Sequence, residues 1–363
     1  MAISHRQRIA AVRRNLLRWF ARHKRDLPWR RTGDPYAIWV SEVMLQQTRV
    51  VAATDYYLRF LRRFPTAGAL AAAPLDDVLK AWEGMGYYAR ARNLHRAARR
   101  LVAERGGALP PSAAELAALP GIGPYTAAAV ASIAFGADEP VLDGNVVRVL
   151  CRLFHVDADP RAAATRRRLR RLAGRLLPPG RAGDFNQALM ELGARVCTPA
   201  APTCQTCPIR RVCRGRAAGA QRRLPRRTAA APLPHHTVVV AVLRKRGRVL
   251  IDRRPDHGLL GGLWEFPGGK VQPGESHAQA LRRELREEVG VEAEVRGRFA
   301  VVEHAYSHFR VTIHAYECRH VSGRARALAV AEVRWVRLGE LDGYAMPRAN
   351  RRILAALGGG QGT

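Results

Sequence analysis

Leu119-Pro-Gly-Ile-Gly-Pro-Tyr125-Thr-Ala-Ala-Ala-Val-Ala-Ser-Ile-Ala-Phe135-Gly-Ala-Asp-Glu-Pro-Val-Leu-Asp143-Gly-Asn145 is the stretch on which the fold of this chain turns. Gly121 and Gly123 permit a tight turn and the close approach of another backbone, and the small residues Thr126 to Ala131 continue as a closely packed helix. The first N–H groups of such a helix have no partner within it and suit a phosphate. Residues 113–119 supply a preceding helix, so helix, Pro-Gly-Ile-Gly hairpin and helix read as a grip on a DNA backbone, with the carboxylate of Asp143 just beyond.

Outward from the hairpin, residues 5–25 have Ile9, Val12, Leu16, Trp19 and Phe20 on one helical stripe. A helix beginning at Ile38 carries Glu42 and gives way to Gln46-Gln47-Thr48. Helical patterns continue to about Leu177 without a strand, so the first half is expected to be all-α. The segment 216–234 lacks hydrophobic periodicity and reads as a linker. Beyond it the texture changes. Thr237–Arg244 and Val249–Arg253 are β-branched runs split by a turn, further alternation follows at 299–302, 308–318 and 333–338, and 275–289 reads as a helix. The expected architecture is multidomain: an all-α region at 1–215, the linker, and an α/β domain at 235–358.

The 363 residues carry 61 Lys and Arg against 30 Asp and Glu, a formal charge of +31, and the pI is near 11.4. That balance favours a polyanionic partner. Only four of the basic residues are Lys (24, 80, 245 and 270), however, and an Arg excess of this kind also follows from genome base composition. No apolar run reaches the ~20 residues of a membrane span, and residues 1–14 are too basic and broken for a secretory signal. The chain is expected in the cytoplasm beside the nucleoid, as a monomer without membrane association.

Four of the six cysteines lie in Cys197-x6-Cys204-x2-Cys207-x5-Cys213. That density points to metal ligation in a reducing compartment and not to a disulfide framework. Zinc sites usually pair two short spacings, whereas one Cys-x2-Cys between longer gaps suits a cubane iron–sulfur cluster, with zinc as the alternative. Glu42 sits among Ile38, Trp39, Val40, Val43, Met44 and Leu45, an apolar setting that raises a carboxyl pKa and lets it act as an acid, although a lone helix glutamate is more often solvated. Asp143 stands at a helix start, where an aspartate is often only a cap. Two carboxyl groups in different environments also suit the breaking of a glycosidic bond.

Residues 1–215 resemble the endonuclease III-type helix-hairpin-helix DNA glycosylases, and among them the adenine-excising branch. The resemblance is carried by Ser41-Glu42-Val-Met-Leu-Gln46-Gln47-Thr48, Gly84-Met-Gly-Tyr87-Tyr-Ala-Arg-Ala-Arg-Asn93-Leu-His95, the hairpin, Leu142-Asp-Gly-Asn145 and the cysteine set. It implies a DNA-repair enzyme that flips adenine out of a duplex opposite 8-oxoguanine or guanine and hydrolyses its glycosidic bond, with a [4Fe-4S] cluster on Cys197, Cys204, Cys207 and Cys213. Glu42 would be the general acid and Asp143 the stabiliser of the sugar cation or the trap that forms a covalent intermediate, with Tyr125 and Asn145 orienting them. Lyase relatives place a Schiff-base lysine where this chain has Tyr125, so a monofunctional glycosylase is expected. Gln46, Gln47 and Thr48 would contact the vacated stack, Gly121 and Gly123 the backbone, and Tyr87 would wedge beside the oxidised base, with Tyr88 as the other candidate. Arg30 and Gln187 are weaker candidates for the adenine pocket.

In the second half, Gly269-x5-Glu275-x7-Arg283-Glu284-Leu285-x-Glu287-Glu288-x-Gly290-Val291 satisfies the Nudix signature. On an α-helix Glu284, Glu287 and Glu288 share one face able to hold Mg²⁺ beside a pyrophosphate, so a nucleotide pyrophosphohydrolase fused to a DNA-binding region is the rival reading. The glycosylase resemblance instead implies an 8-oxoguanine reader, with Tyr306, Ser307 and His308 as the recognition loop and Tyr306 replacing the family's Phe.

Overall fold

The computed structural model describes residues 4–226 and 232–359. The chain forms two compact units, Met1–Ala71 with Arg96–Ala230, and Ala72–His95 with Ala231–Thr363.

The first unit is built from helices. Ser4 caps α1 (His5–His23) reciprocally with Gln7. Asp34 opens α2 (Pro35–Met44), accepting from the Tyr36 and Ala37 N–H groups, and Pro35 supplies a preset first position. Next come α3 (Val50–Arg63), α4 (Ala67–Ala72), α5 (Leu75–Ala81), α6 (Ala89–Arg105) and α7 (Ala113–Ala117), with α5 and the start of α6 belonging to the second unit. The chain then continues through α8 (Pro124–Phe135), α9 (Gly144–Phe154), α10 (Ala163–Leu176), α11 (Ala182–Arg195) and the short α12 (Arg214–Ala217). Among the described residues before 227 there is no strand, as expected.

The hairpin between α7 and α8 has Gly121 in the left-handed region, while Gly123 is extended and serves as the N-cap of α8. Residues 126–132 of α8 are all buried, because alanines let α2, α7 and α11 approach from different sides. The core joins α1 and α8 to α9, α10 and α11 through Leu16, Phe20, Val146, Leu150, Phe154, Leu169 and Phe185.

Residues 216–226, which lack periodicity, do not behave as a linker. Ala220 and Leu224 are buried, Leu224 O accepts from Arg152 Nε, and Arg223 and Arg226 pair with Asp157. The order here comes from one hydrogen bond to the buried Arg152, two ion pairs to Asp157 and two isolated buried apolar residues, with no periodic face. The linker's remainder at 227–231 lies outside the described residues.

Beyond segment 72–95, the second unit is a mixed sheet between two helices. Its strands are β1 (His235–Lys245), β2 (Arg248–Arg253), β3 (Trp264–Glu265), β4 (Gly268–Lys270), β5 (Glu292–Ala305), β6 (Arg310–Ser322) and β7 (Glu332–Val336). The central path runs β3-β2-β1-β6-β5, with β4 on β1 and β7 on β2, and β1 and β6 are parallel while the other pairs are antiparallel. Val240 and Val242 face one core with α14 (Arg348–Gly359), while Val239, Ala241 and Leu243 face the other with α13 (His277–Glu284). A strand buried on both faces reads as a continuous apolar run, as β1 does.

Two features depart from expectation. Segment 72–95, read with the first region, packs with the second unit: Glu83 pairs with Arg351, and Arg92 donates to the Gly258 and Gly261 carbonyls. The helix expected over 275–289 is α-helical only to Glu284, and Leu285–Val289 form a π-turn. Because a π-turn is wider than an α-turn, the spacing of the three carboxylates is not that of a regular α-helical face.

Candidate active site

Within the first unit Glu42, Tyr125, Asp143 and Asn145 line one cavity of about 170 Å³, together with Arg30, Gln187 and Thr48. Glu42 lies on the buried side of α2 and is 5 % exposed. Burial pushes its carboxyl up to about 7, and Asp143 adds to the shift, while a hydrogen bond from Tyr125 and the charge of Arg30 work against it. The Tyr125 hydroxyl donates to Glu42 Oε2 at 2.7 Å. Burial and the two carboxylates hold the phenol well above its ordinary pKa, so it stays a donor.

Asp143 is the N-cap of α9 and so fills the structural role that an aspartate at a helix start often has. Its Oδ1 accepts from the Val146 N–H at 2.6 Å, and its Oδ2 from Asn145 Nδ2 at 2.8 Å. Asn145 is held in turn by Arg148, whose Nη2 donates to Asn145 Oδ1 at 2.7 Å and to Gly193 O at 2.8 Å, and whose Nε reaches Cys197 O at 2.7 Å. Helix α11 can come this close because residue 193 is glycine: a Cβ there would lie 2.6 Å from that of Asn145.

Arg30 Nε donates to Gln187 Oε1 at 3.3 Å and its Nη2 to Glu191 Oε2 at 3.0 Å, while Arg25 makes a two-pronged pair with the same carboxylate at 2.7 Å. The buried Glu191 thereby orders one wall of the cavity. Glu191, Arg25, Arg148 and Met190 escaped the sequence reading. The one available signal was a single charged residue in the apolar run Ala188-Leu-Met-Glu191-Leu of α11. Gln46 Nε2 donates to Thr126 Oγ1 at 2.9 Å, and Gln47 takes a left-handed backbone just after α2 ends.

The four clustered cysteines line a second cavity with Val149, Leu153, Leu192, Ile209 and Arg152. None is in a disulfide. Burial pushes the Cys207 thiol up to about 12 and raises Cys204 and Cys213, so thiolates here require a strongly cationic occupant. Arg152 Nη1 donates to Cys197 Sγ at 3.3 Å and to the Cys197 and Thr198 carbonyls, and its Nη2 donates to Pro199 O. Among the described residues no three His, Cys, Asp or Glu side chains converge tightly enough for a single metal ion. The four thiols nonetheless border one common cavity, the kind of shared space that a cluster held by four thiolates asks for.

The Nudix carboxylates do not fit Mg²⁺. Arg283 takes up Glu275, Glu284 and Glu287 at 2.9, 2.8 and 3.2 Å. Glu287 faces solvent at 59 % exposure, while Glu288 accepts the Gly268 N–H and is pushed up to about 8, chiefly by burial and then by Glu265.

In the second unit Tyr87, Tyr306, Ser307 and His308 line one cleft of about 340 Å³. Tyr306 stacks on Phe309 at 4.7 Å, and Ser307 Oγ lies 2.7 Å from His308 Nδ1. Tyr87 is 43 % exposed with Arg90 over its ring, whereas Tyr88 is buried and its hydroxyl bonds to Met346 O. Both wedge candidates border the cleft, and Tyr87 is the exposed one of the two.

Residues 40–175 match the HhH-GPD superfamily of base excision DNA repair proteins, and residues 238–356 match the NUDIX domain. The adenine DNA glycosylase of Homo sapiens is 37 % identical over 410 residues, covering 97 % of this chain and 75 % of that protein. The chain belongs to the adenine DNA glycosylase family. Another member, from Mycolicibacterium smegmatis, is 46 % identical over 205 residues, 56 % of this chain and 69 % of its own. The solved structure of a thermostable thymine-DNA glycosylase, 30 % identical, superposes with a TM-score of 0.55 over 59 % of this chain and 98 % of its own. As an adenine DNA glycosylase family member, the chain is a base-excision repair DNA N-glycosylase. Among the described residues no helix is long and apolar enough to cross a membrane.

Proposed function

We propose that this enzyme removes adenine paired with 8-oxoguanine or guanine in duplex DNA, by hydrolysis without strand cleavage. The observation that carries the reading is the pairing, at one cavity, of a carboxyl held half-protonated near neutrality with a second carboxylate fixed by a helix start. A flipped adenine enters this cavity. Glu42 gives its proton to N7, which makes the base a neutral leaving group, and Tyr125 keeps the acid oriented. As the bond to C1′ breaks, the Asp143 carboxylate stabilises the sugar cation or captures it covalently, and water completes the hydrolysis. Asn145 and Arg148 hold Asp143 in place. Tyr125 has no amine, so no Schiff base forms there.

Gly121, Gly123 and the amino end of α8 meet backbone phosphate. A Cβ on Gly123 would touch nothing within 4 Å and its backbone is extended, so the fold itself tolerates a side chain there and a closely approaching ligand explains the glycine. Gln46, Gln47 and Thr48 occupy the space around the vacated stack. Cys197, Cys204, Cys207 and Cys213 would hold a [4Fe-4S] cluster, which would order their loop, while the positive charge beside it comes from Arg210, Arg211, Arg214 and Arg216. In the second unit Tyr87 wedges beside the opposite base. Ser307, whose Oγ lies against His308 Nδ1, accepts through its hydroxyl oxygen the N7–H that 8-oxoguanine has and guanine lacks, with Tyr306 supporting the loop.

Adenine release from A:8-oxoguanine and A:G duplexes under single-turnover conditions tests this. Faster release from the oxidised pair, without β-elimination, is expected. Equal rates on both pairs, or release from neither, would overturn it.

A further inference from the structure

The cleft lined by Tyr87 and Ser307 has walls that are far apart in sequence: residues 84–89 with Arg92 on one side, and residues 258–260, 304–308, Pro347 and Arg348 on the other. The first wall is a turn under strain. Gly84, Gly86 and Tyr87 all have positive φ, at 89°, 75° and 51°, and a non-glycine residue adopts that region only when its surroundings hold it there.

Glu83, just before the turn, binds it to the opposite wall. Its Oε1 accepts from the Met346 N–H at 2.9 Å and from Arg351 Nε at 2.8 Å, and its Oε2 from Lys80 Nζ at 2.6 Å and Arg351 Nη2 at 3.4 Å. Met346 directly precedes the cleft residues Pro347 and Arg348. Arg351 is itself fixed, donating to Leu341 O and Asp342 Oδ1 at 3.1 Å and to Tyr344 O. The ion pair is only about one-fifth exposed on either side, so solvent screens it incompletely. Without the carboxylate, Lys80 and Arg351 would face each other as like charges and the Met346 N–H would lose its acceptor. Both effects push the walls apart.

We infer that Glu83, acting with Arg351 and Lys80, is a positioning residue for recognition of the oxidised purine: it sets the distance between the turn bearing Tyr87 and the loop bearing Ser307. This rests on the reading that the cleft receives 8-oxoguanine. Glu83 does not line the cleft or the cavity at Glu42, so its removal acts on discrimination through the cleft walls and leaves the chemistry at Glu42 alone.

The test uses the full-length protein and single-turnover adenine release from A:8-oxoguanine and A:G duplexes, with melting temperatures measured alongside. Glu83→Ala is expected to reduce the preference for the oxidised pair about tenfold, within the range for coupled contacting groups, while the A:G rate stays within about twofold. Glu83→Gln, which keeps an acceptor for Met346, should lose less, and Glu83→Asp should recover part of the loss. Arg351→Met should reproduce Glu83→Ala, and the double variant should be no worse than either single one. Equal losses on both duplexes, or single-variant effects that simply add, would overturn the inference. If Glu83→Ala does not fold, Glu83→Gln and Arg351→Met carry the same comparison. A Ser307→Ala variant separates the two levels. If it lowers the preference while Glu83→Ala does not, the inference alone fails; if the wild type has no preference to lose, the reading of the cleft fails and takes the inference with it.

Discussion

Two sets of carboxylates in this molecule are matched by sequence motifs, and their surroundings send them in opposite directions. Glu42 and Asp143 border a cavity, and their partners are a phenol, an amide and a backbone N–H. The Nudix set completes a longer and more specific pattern, yet Arg283 gathers Glu275, Glu284 and Glu287, and Glu288 is tied to the Gly268 N–H. A carboxyl group is available for proton transfer or ligand binding when nothing cationic has already claimed it, and motif completeness does not report that. The lone Glu42, a weak signal by spacing, is the better-prepared group because burial holds it near pH 7.

Substitution of the two sets breaks this comparison or sharpens it. Glu42→Gln should slow adenine release by about 10³-fold, within the range for a general acid, with duplex affinity retained. A smaller loss, or loss of binding as well, would assign Glu42 to structure. Asp143→Asn keeps a capping side chain and removes the charge, so about a 10²-fold loss in rate is expected with little change in melting temperature. Asp143→Ala should in addition cost about 1 kcal/mol of stability from the lost cap.

The pH profile follows from the raised pKa of Glu42. The group works as an acid only when protonated, so the single-turnover rate should be flat well below pH 7. It should then fall about tenfold per pH unit above it, as the proton is lost. A descending limb that persists unchanged in Glu42→Gln would belong to another group. The smallest expected effect belongs to the Nudix set: Glu287→Gln should leave adenine release unchanged within about twofold, since its side chain is exposed and belongs to the other unit. Release of nucleoside monophosphate from free triphosphates, abolished in that variant, would restore the pyrophosphohydrolase reading.

Much of the architecture was legible because it rests on local patterns. The Gly121–Gly123 hairpin, the 3.6-residue stripe of α1, the cysteine spacing and the apolar run of β1 each announce themselves within about twenty residues. What escaped depends on distant partners. Glu83 and Arg351 lie 268 positions apart, so nothing near residue 83 reveals that segment 72–95 packs with the sheet. Leu224 is buried through Arg152, 72 residues earlier, and no periodicity marks that contact. The π-turn at 285–289 escaped because an α-helical wheel assumes a fixed number of residues per turn. At the site itself, Glu42, Tyr125, Asp143 and Asn145 were named from motifs, whereas Glu191 and Arg148 act by holding other side chains, a role that leaves no signature in spacing.

Gly193 closes one such chain of support. Its missing side chain lets α11 lie against Asn145, and its carbonyl receives Arg148. Even one added methyl group there would displace the residue that steadies Asp143. A lineage drifting at this position, or an engineer reshaping α11 to admit a different base, therefore has no small first step: the two helices can be altered only together.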